Sequence, residues 1–134
     1  NLKKNSKFVK KIIKKLKNKN IRTSIFIEPN IGEIKIAKSI QADCIEIHTG
    51  KICNLHNKKK NITNELKKIK RAVNYANYIG LEVHAGHGIT FSSAKILSKI
   101  KGITEFNIGH FLIGESIFTG IKDSIKKFKK IIKK

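Results

Sequence analysis

A chain of 134 residues, 40% hydrophobic, suits one domain with a modest core, and no apolar run in it reaches the ~18 residues of a membrane span. The net charge of +21 invites a nucleic-acid partner, but 28 of the 30 basic residues are lysine and only Arg22 and Arg71 offer bidentate forks; 16 of the lysines lie before residue 20 or after residue 121, so a solvated exterior is expected. Cys44 and Cys53 stand nine apart with no second pair and no paired histidine at metal-ligand spacing, which argues against a disulfide or zinc site and predicts a buried strand thiol and a loop thiol in a reducing compartment.

The chain opens on Asn1-Leu2-Lys3-Lys4 without a methionine anywhere, which reads as a processed or excerpted chain, soluble and cytoplasmic. Over Lys3–Lys19, Phe8, Ile12 and Leu16 recur at i, i+4, i+8 beside Val9 and Ile13, an amphipathic helix stopped by Asn18 to Asn20. Thr23–Ile27 is a short β-branched and aromatic strand ended by Glu28-Pro29-Asn30. Helical spacing resumes over Gly32–Ile40, and Cys44–His48 is a second strand closed by Thr49-Gly50. Residues 51–63 read as a polar loop. A helix over Thr63–Ile79 follows, with Thr63 as N-cap, Leu66, Ile69, Val73, Tyr75 and Ala76 as its inner stripe, and Gly80 after it. The third strand is Leu81–Ala85, then comes a short helix over Ser92–Ile100, then a fourth strand over Glu105–Ile108. A turn from Phe111 to Gly114 leads into one last helix, inner-faced by Ile117, Ile121, Ile125, Phe128 and Ile132.

Strand and helix alternate four times, which implies a parallel α/β sheet with right-handed crossovers. In a doubly wound sheet both strand faces are covered and apolar. Here one side alternates Ile25 and Ile27, Ile45 and Ile47, Val83 and Ala85, Phe106 and Ile108. The other carries Ser24, Phe26 and Glu28; Cys44, Glu46 and His48; Glu82, His84 and Gly86; Glu105, Asn107 and Gly109. A mostly polar second face fits a barrel lumen near its catalytic mouth. Residues 1–134 therefore read as one partial domain, the C-terminal half of a TIM (β/α)8 barrel with strands 5–8, the N-terminal half being absent. Phosphate in such barrels is frequently held after strands 7 and 8, where this chain has Gly86-His87-Gly88 and Gly109-His110.

The words Glu-Ile-His-Thr-Gly (Glu46 to Gly50), Ala-Gly-His-Gly (Ala85 to Gly88) and Asn-Ile-Gly-His (Asn107 to His110) resemble those of the pyridoxine 5′-phosphate synthase family. Ser24-Ile-Phe-Ile-Glu28 is similar to the family's Ser-Leu-Phe-Ile-Asp, and Phe118-Thr-Gly-Ile121 to the start of its last helix. The resemblance implies a condensation of 3-amino-2-oxopropyl phosphate with 1-deoxy-D-xylulose 5-phosphate, giving pyridoxine 5′-phosphate, phosphate and water. It implies no metal and no organic cofactor, a homo-octamer when full length, and no nucleic-acid or membrane partner. Residue by residue, His87 matches the proton donor and Glu46 the carboxylate that assists acid–base steps and stabilises transition states. Gly88, Gly109 and His110 match binding positions for the aminooxopropyl phosphate. His48 shares a face with Glu46, His84 stands where the family often has asparagine, and Glu115 where arginine is common; their roles stay open. The family's first four βα units carry another acid, another histidine and the lid, so these 134 residues alone are expected to be inactive and poorly stable. Two other readings stand beside this one: another phosphate-binding aldolase or isomerase barrel, and a lysine-rich nucleic-acid-binding module, which lacks the aromatic platforms and arginines it needs.

Overall fold

A computed structural model describes residues 2–133; Asn1 and Lys134, the ends of the expected domain, lie outside the described residues. The order is α1 (Leu2–Lys17), β1 (Ser24–Ile27), α2 (Ile31–Ser39), β2 (Cys44–His48), α3 (Gly50–Asn57), α4 (Thr63–Tyr78), β3 (Glu82–Gly86), α5 (Phe91–Leu97), β4 (Glu105–Asn107), α6 (His110–Thr119) and α7 (Ile121–Ile132). The four strands form one parallel sheet in the order β1-β2-β3-β4. Each crossover steps the same way, with no reversal of strand order.

Period two sets the two faces as the alternation predicts. Ile27, Ile45, Ile47, Val83 and Ala85 are buried on the side that meets the helices, joined there by Ile34 and Ala37 of α2, Ile69, Ala72, Val73 and Ala76 of α4, and Ala94 and Leu97 of α5. On the other side the register aligns Phe26, Glu46, His84 and Glu105 in one row. His48, Gly86 and Asn107 form the next row toward the strands' C-terminal ends. That open face is not uniformly wet, because Cys44 and His84 on it are buried.

Local chemistry starts and stops the elements. Asn30 caps α2, its Oδ1 accepting from the amides of Gly32 at 2.8 Å and Glu33 at 3.2 Å. Thr90 and Ser93 close a reciprocal capping box on α5. Gly80 leaves α4 with φ +71, a left-handed turn that a side chain would strain. At the opposite end of the sheet from the Gly-His steps, Asp43 accepts from the Thr23 hydroxyl at 2.7 Å and the Thr23 amide at 2.8 Å, and pairs with Lys17 at 3.0 Å. Burial raises the Asp43 carboxyl, but these donors and the Lys17 charge outweigh it and hold the group at about 2.

Several expectations are corrected. Residues 50–57 form α3 instead of a polar loop, because Ile52 and Cys53 are buried in the core where α3 meets α4 and α5; Cys53 is therefore a buried helix thiol. Thr63 is the first helical residue of α4 and not its cap; the Asn61 side chain accepts its amide at 2.8 Å. The last helix is two helices, since Gly120 at φ +80 breaks the run between α6 and α7. Among its supposed inner residues only Phe128 is buried, while Ile117 is 78% exposed and Ile121 and Ile125 are also exposed. On α1, likewise, the core is met by Ile13, and Phe8 stands 66% exposed.

Candidate active site

Glu46 stands on β2, His87 and Gly88 in the turn after β3, Gly109 after β4 and His110 at the first position of α6. His87, Gly88, Gly109 and His110 converge on one cavity of about 290 Å³, which Ile89, Asn107, Ile108 and Phe111 complete. His87 and Gly88 both take left-handed backbone, at φ +75 each. For a histidine this conformation costs about 1–2 kcal/mol, so something must hold it. Thr49, fully buried at the end of β2, does so. Its hydroxyl lies 2.7 Å from the Gly86 carbonyl and 2.8 Å from the His87 carbonyl, while its amide donates to Gly86 at 2.8 Å. The turn is thus pinned from the neighbouring strand, and the His87 ring stands exposed above it.

Under Gly88 lies the Cys53 methylene, 3.3 Å from where a Cβ would be, so glycine at 88 answers both the positive φ and this close approach. Burial pushes the Cys53 thiol up, so it packs as a neutral group. Gly109 is different: among the described residues a Cβ there would meet nothing within 4 Å. Its bare edge borders the cavity at the start of α6, where Gly109 as N-cap offers no side chain to the first helical amides. Those amides and the adjacent imidazole of His110 suit an anion.

Glu46 does not line this cavity. Its Oε2 accepts from Asn107 Nδ2 at 2.7 Å, and Asn107 does line it. The two residues stand on β2 and β4, and the bond passes over β3 at Gly86. A Cβ on Gly86 would stand 2.7 Å from the Glu46 carboxyl carbon and closer still to Oε1. Gly86 is therefore the gap through which Glu46 reaches Asn107. Sequence reading placed Asn107 on the polar face and in a motif without giving it a part; the signal was its position one register step from Glu46.

His48 projects above Glu46 on the same strand, its Nδ1 2.6 Å from Glu28 Oε1. Its ring meets the His87 ring edge-on at 4.6 Å between centroids, and Phe26 stands 5.2 Å from His48 and 6.4 Å from His87. His84 lies apart, one row lower, buried and bonded through Nε2 to Glu82 at 2.8 Å with Glu105 3.6 Å from Nδ1. The His84 bond and the Arg22 guanidinium hold the Glu82 carboxyl below its ordinary range, and Glu82 raises Arg22 in turn. Glu115 of α6 faces Lys127 of α7 at 3.8 Å and does not line the cavity, and His56 is half-buried on α3. Among the described residues no group of three or more His, Cys, Asp or Glu side chains converges to hold a metal, and no helix is long and apolar enough to cross a membrane.

Residues 1–134 match the family model of Pyridoxal phosphate biosynthesis protein PdxJ. The chain is 54% identical over 134 residues to the pyridoxine 5′-phosphate synthase of Pelagibacter ubique (strain HTCC1062), covering 100% of the chain and 56% of that protein. It is 42% identical over 125 residues to the protein of that name from Sulfurihydrogenibium sp. (strain YO3AOP1), covering 93% of the chain and 51% of the relative. The same name applies to a Zymomonas mobilis relative, 43% identical over 121 residues, covering 90% of the chain and 46% of that protein. The chain spans about half the length of the curated relatives it matches.

Proposed function

Because this chain belongs to the PdxJ family of pyridoxal phosphate biosynthesis proteins, we propose that it supplies the strand 5–8 half of a pyridoxine 5′-phosphate synthase barrel. That enzyme condenses 3-amino-2-oxopropyl phosphate with 1-deoxy-D-xylulose 5-phosphate, without metal or organic cofactor. Residues 1–134 form one partial domain in this reading. A sheet that steps in one direction, with helices on one face and polar groups on the other, supports it. So does the placement of His87, Gly88, Gly109 and His110 just past the C-terminal ends of β3 and β4.

The observation that carries the proposal is the meeting of His87, Gly88, Gly109 and His110 around one small cavity. The amides at Gly88 and Gly109, the first turn of α6 and the His110 ring hold the phosphate of the aminooxopropyl substrate. His87, exposed on the rim, delivers protons. Imine formation, dehydration and phosphate elimination each need a proton moved near neutral pH, the range in which an imidazole works. Glu46, aimed by Asn107, faces the open side of the sheet, where a carboxylate can stabilise a cationic imine or take a proton. The second substrate and the facing residues come with the other half of the barrel. The homo-octamer and the cytoplasmic setting belong to the same proposal.

A chimera tests it, with residues 1–134 replacing the matched segment of the Pelagibacter ubique protein. It should form pyridoxine 5′-phosphate from both substrates, and His87→Ala should lower kcat by about 10²–10⁴-fold with an unchanged circular dichroism spectrum. Unchanged turnover in that variant, or turnover of the sugar phosphate alone as an aldolase or isomerase would show, refutes the assignment.

A further inference from the structure

Thr49 fixes the backbone of His87, but it does not touch the imidazole. Among the described residues the His87 ring is met by two other rings, those of His48 and Phe26, and by no hydrogen-bonding group. The nearer of the two is His48, and His48 is itself anchored. Its Nδ1 lies 2.6 Å from Glu28 Oε1, and an ionised carboxylate can only accept, so Nδ1 carries the proton and, in the neutral imidazole, Nε2 is the bare nitrogen. That bond fixes both the tautomer and the rotation of the His48 ring.

The bare side of His48 turns toward His87. A Cβ placed on Gly50 would stand 2.7 Å from His48 Nε2 and also 2.7 Å from His87 Cδ2, so the two rings cross over the unsubstituted Gly50. Glu28 at the end of β1, His48 at the end of β2 and His87 after β3 thus run in sequence along the mouth of the sheet, each holding the next.

We propose that Glu28 and His48 are positioning residues that set the direction of the His87 imidazole: Glu28 locks the His48 tautomer, and the locked ring is the wall against which His87 stands. This rests on the reading of His87 as the proton donor only for its catalytic meaning; the orientation itself is a property of the chain. A carboxylate that orients one imidazole through another is worth its place because a proton donor must be aimed as well as charged.

Long-range ¹H–¹⁵N spectra of the histidine rings in the chimera test it. The unsubstituted chimera should show His48 mainly as the Nδ1–H tautomer, with nuclear Overhauser contacts between the His48 and His87 rings. Glu28→Ala should turn His48 mainly to the Nε2–H tautomer favoured in free imidazoles and weaken those ring contacts at least twofold. His48→Ala should abolish the unique orientation of His87, seen as averaging of its contact to Phe26. A His48 tautomer or a His87 contact pattern unchanged by Glu28→Ala overturns the proposal. In the chimera, Glu28→Ala should lower kcat about 10–100-fold, the range of lost outer partners of a ligating histidine, with KM for the aminooxopropyl phosphate unchanged. A rise in KM without a fall in kcat would equally overturn it. A chimera that stays inactive while the spectra behave as expected would refute the synthase reading and leave the orientation standing.

Discussion

Gly86 gives the sharpest test of how this site is built. It lies within β3 and is not among the glycines with left-handed backbone, so alanine fits its φ and ψ. Taken alone, Gly→Ala at such a position stabilises by about 0.4–1 kcal/mol through the unfolded chain. Here the new methyl would stand 2.7 Å from the Glu46 carboxyl carbon, with Asn107 Cβ 3.3 Å away on the other side. Glu46 must swing off and release Asn107. A hydrogen bond to a carboxylate contributes about 1.5–3 kcal/mol, so the net cost of Gly86→Ala is about 1–2 kcal/mol. The decisive measurement is a double-mutant cycle by urea unfolding. With Glu46→Ala already present the clash and the bond are both gone, and Gly86→Ala should then stabilise. A coupling of about 2 kcal/mol is expected between the two positions. If Gly86→Ala costs the same in both backgrounds, the gap over β3 has no part in aiming Glu46.

Other outcomes follow from contacts already described. Asp43, held at about 2 against an ordinary 3.8, contributes stability that is fully present above pH ~4 and is lost as pH falls toward 2. The shift corresponds to about 2.5 kcal/mol, which screening at this partly exposed carboxylate reduces to about 1 kcal/mol; acid unfolding of Asp43→Asn should lack that component of the slope. Thr49→Val removes the hydroxyl shared by the Gly86 and His87 carbonyls and should cost about 1–3 kcal/mol, with faster amide exchange in residues 86–89 as its local sign. The 134 residues by themselves should form no pyridoxine 5′-phosphate; substantial turnover without a complementary half would contradict the half-barrel proposal.

The strands were legible because alternation at period two is written residue by residue: Ile45 and Ile47 against Glu46 and His48 needed no long-range knowledge. The Gly-His steps were legible for the same reason, since glycine beside histidine at a strand end marks exposed backbone. α3 was hidden because Lys51, Asn54 and Asn57 mask the Ile52–Cys53 face that it buries. The break at Gly120 was hidden because isoleucine spacing runs straight through it from Ile117 to Ile125, and pattern cannot say that α6 and α7 leave much of that stripe uncovered. The partners of the site were least legible. Asn107 is 61 residues from Glu46 and Glu28 is 20 from His48, distances that only the register of neighbouring strands brings to bonding range. Residue types named the reactive groups, whereas register chose what holds each of them.

Thr49 has a consequence for anyone who would move this site. The turn bearing His87 looks portable, four residues with two glycines, yet its shape is stored in a hydroxyl on another strand. Transplanted onto a foreign scaffold, Ala85 to Gly88 would relax out of the left-handed conformation and lose its grip on the cavity. The smallest transferable unit is the pair of strand ends β2 and β3 with Thr49 between them, and inheritance of the histidine turn is inheritance of its neighbour as well.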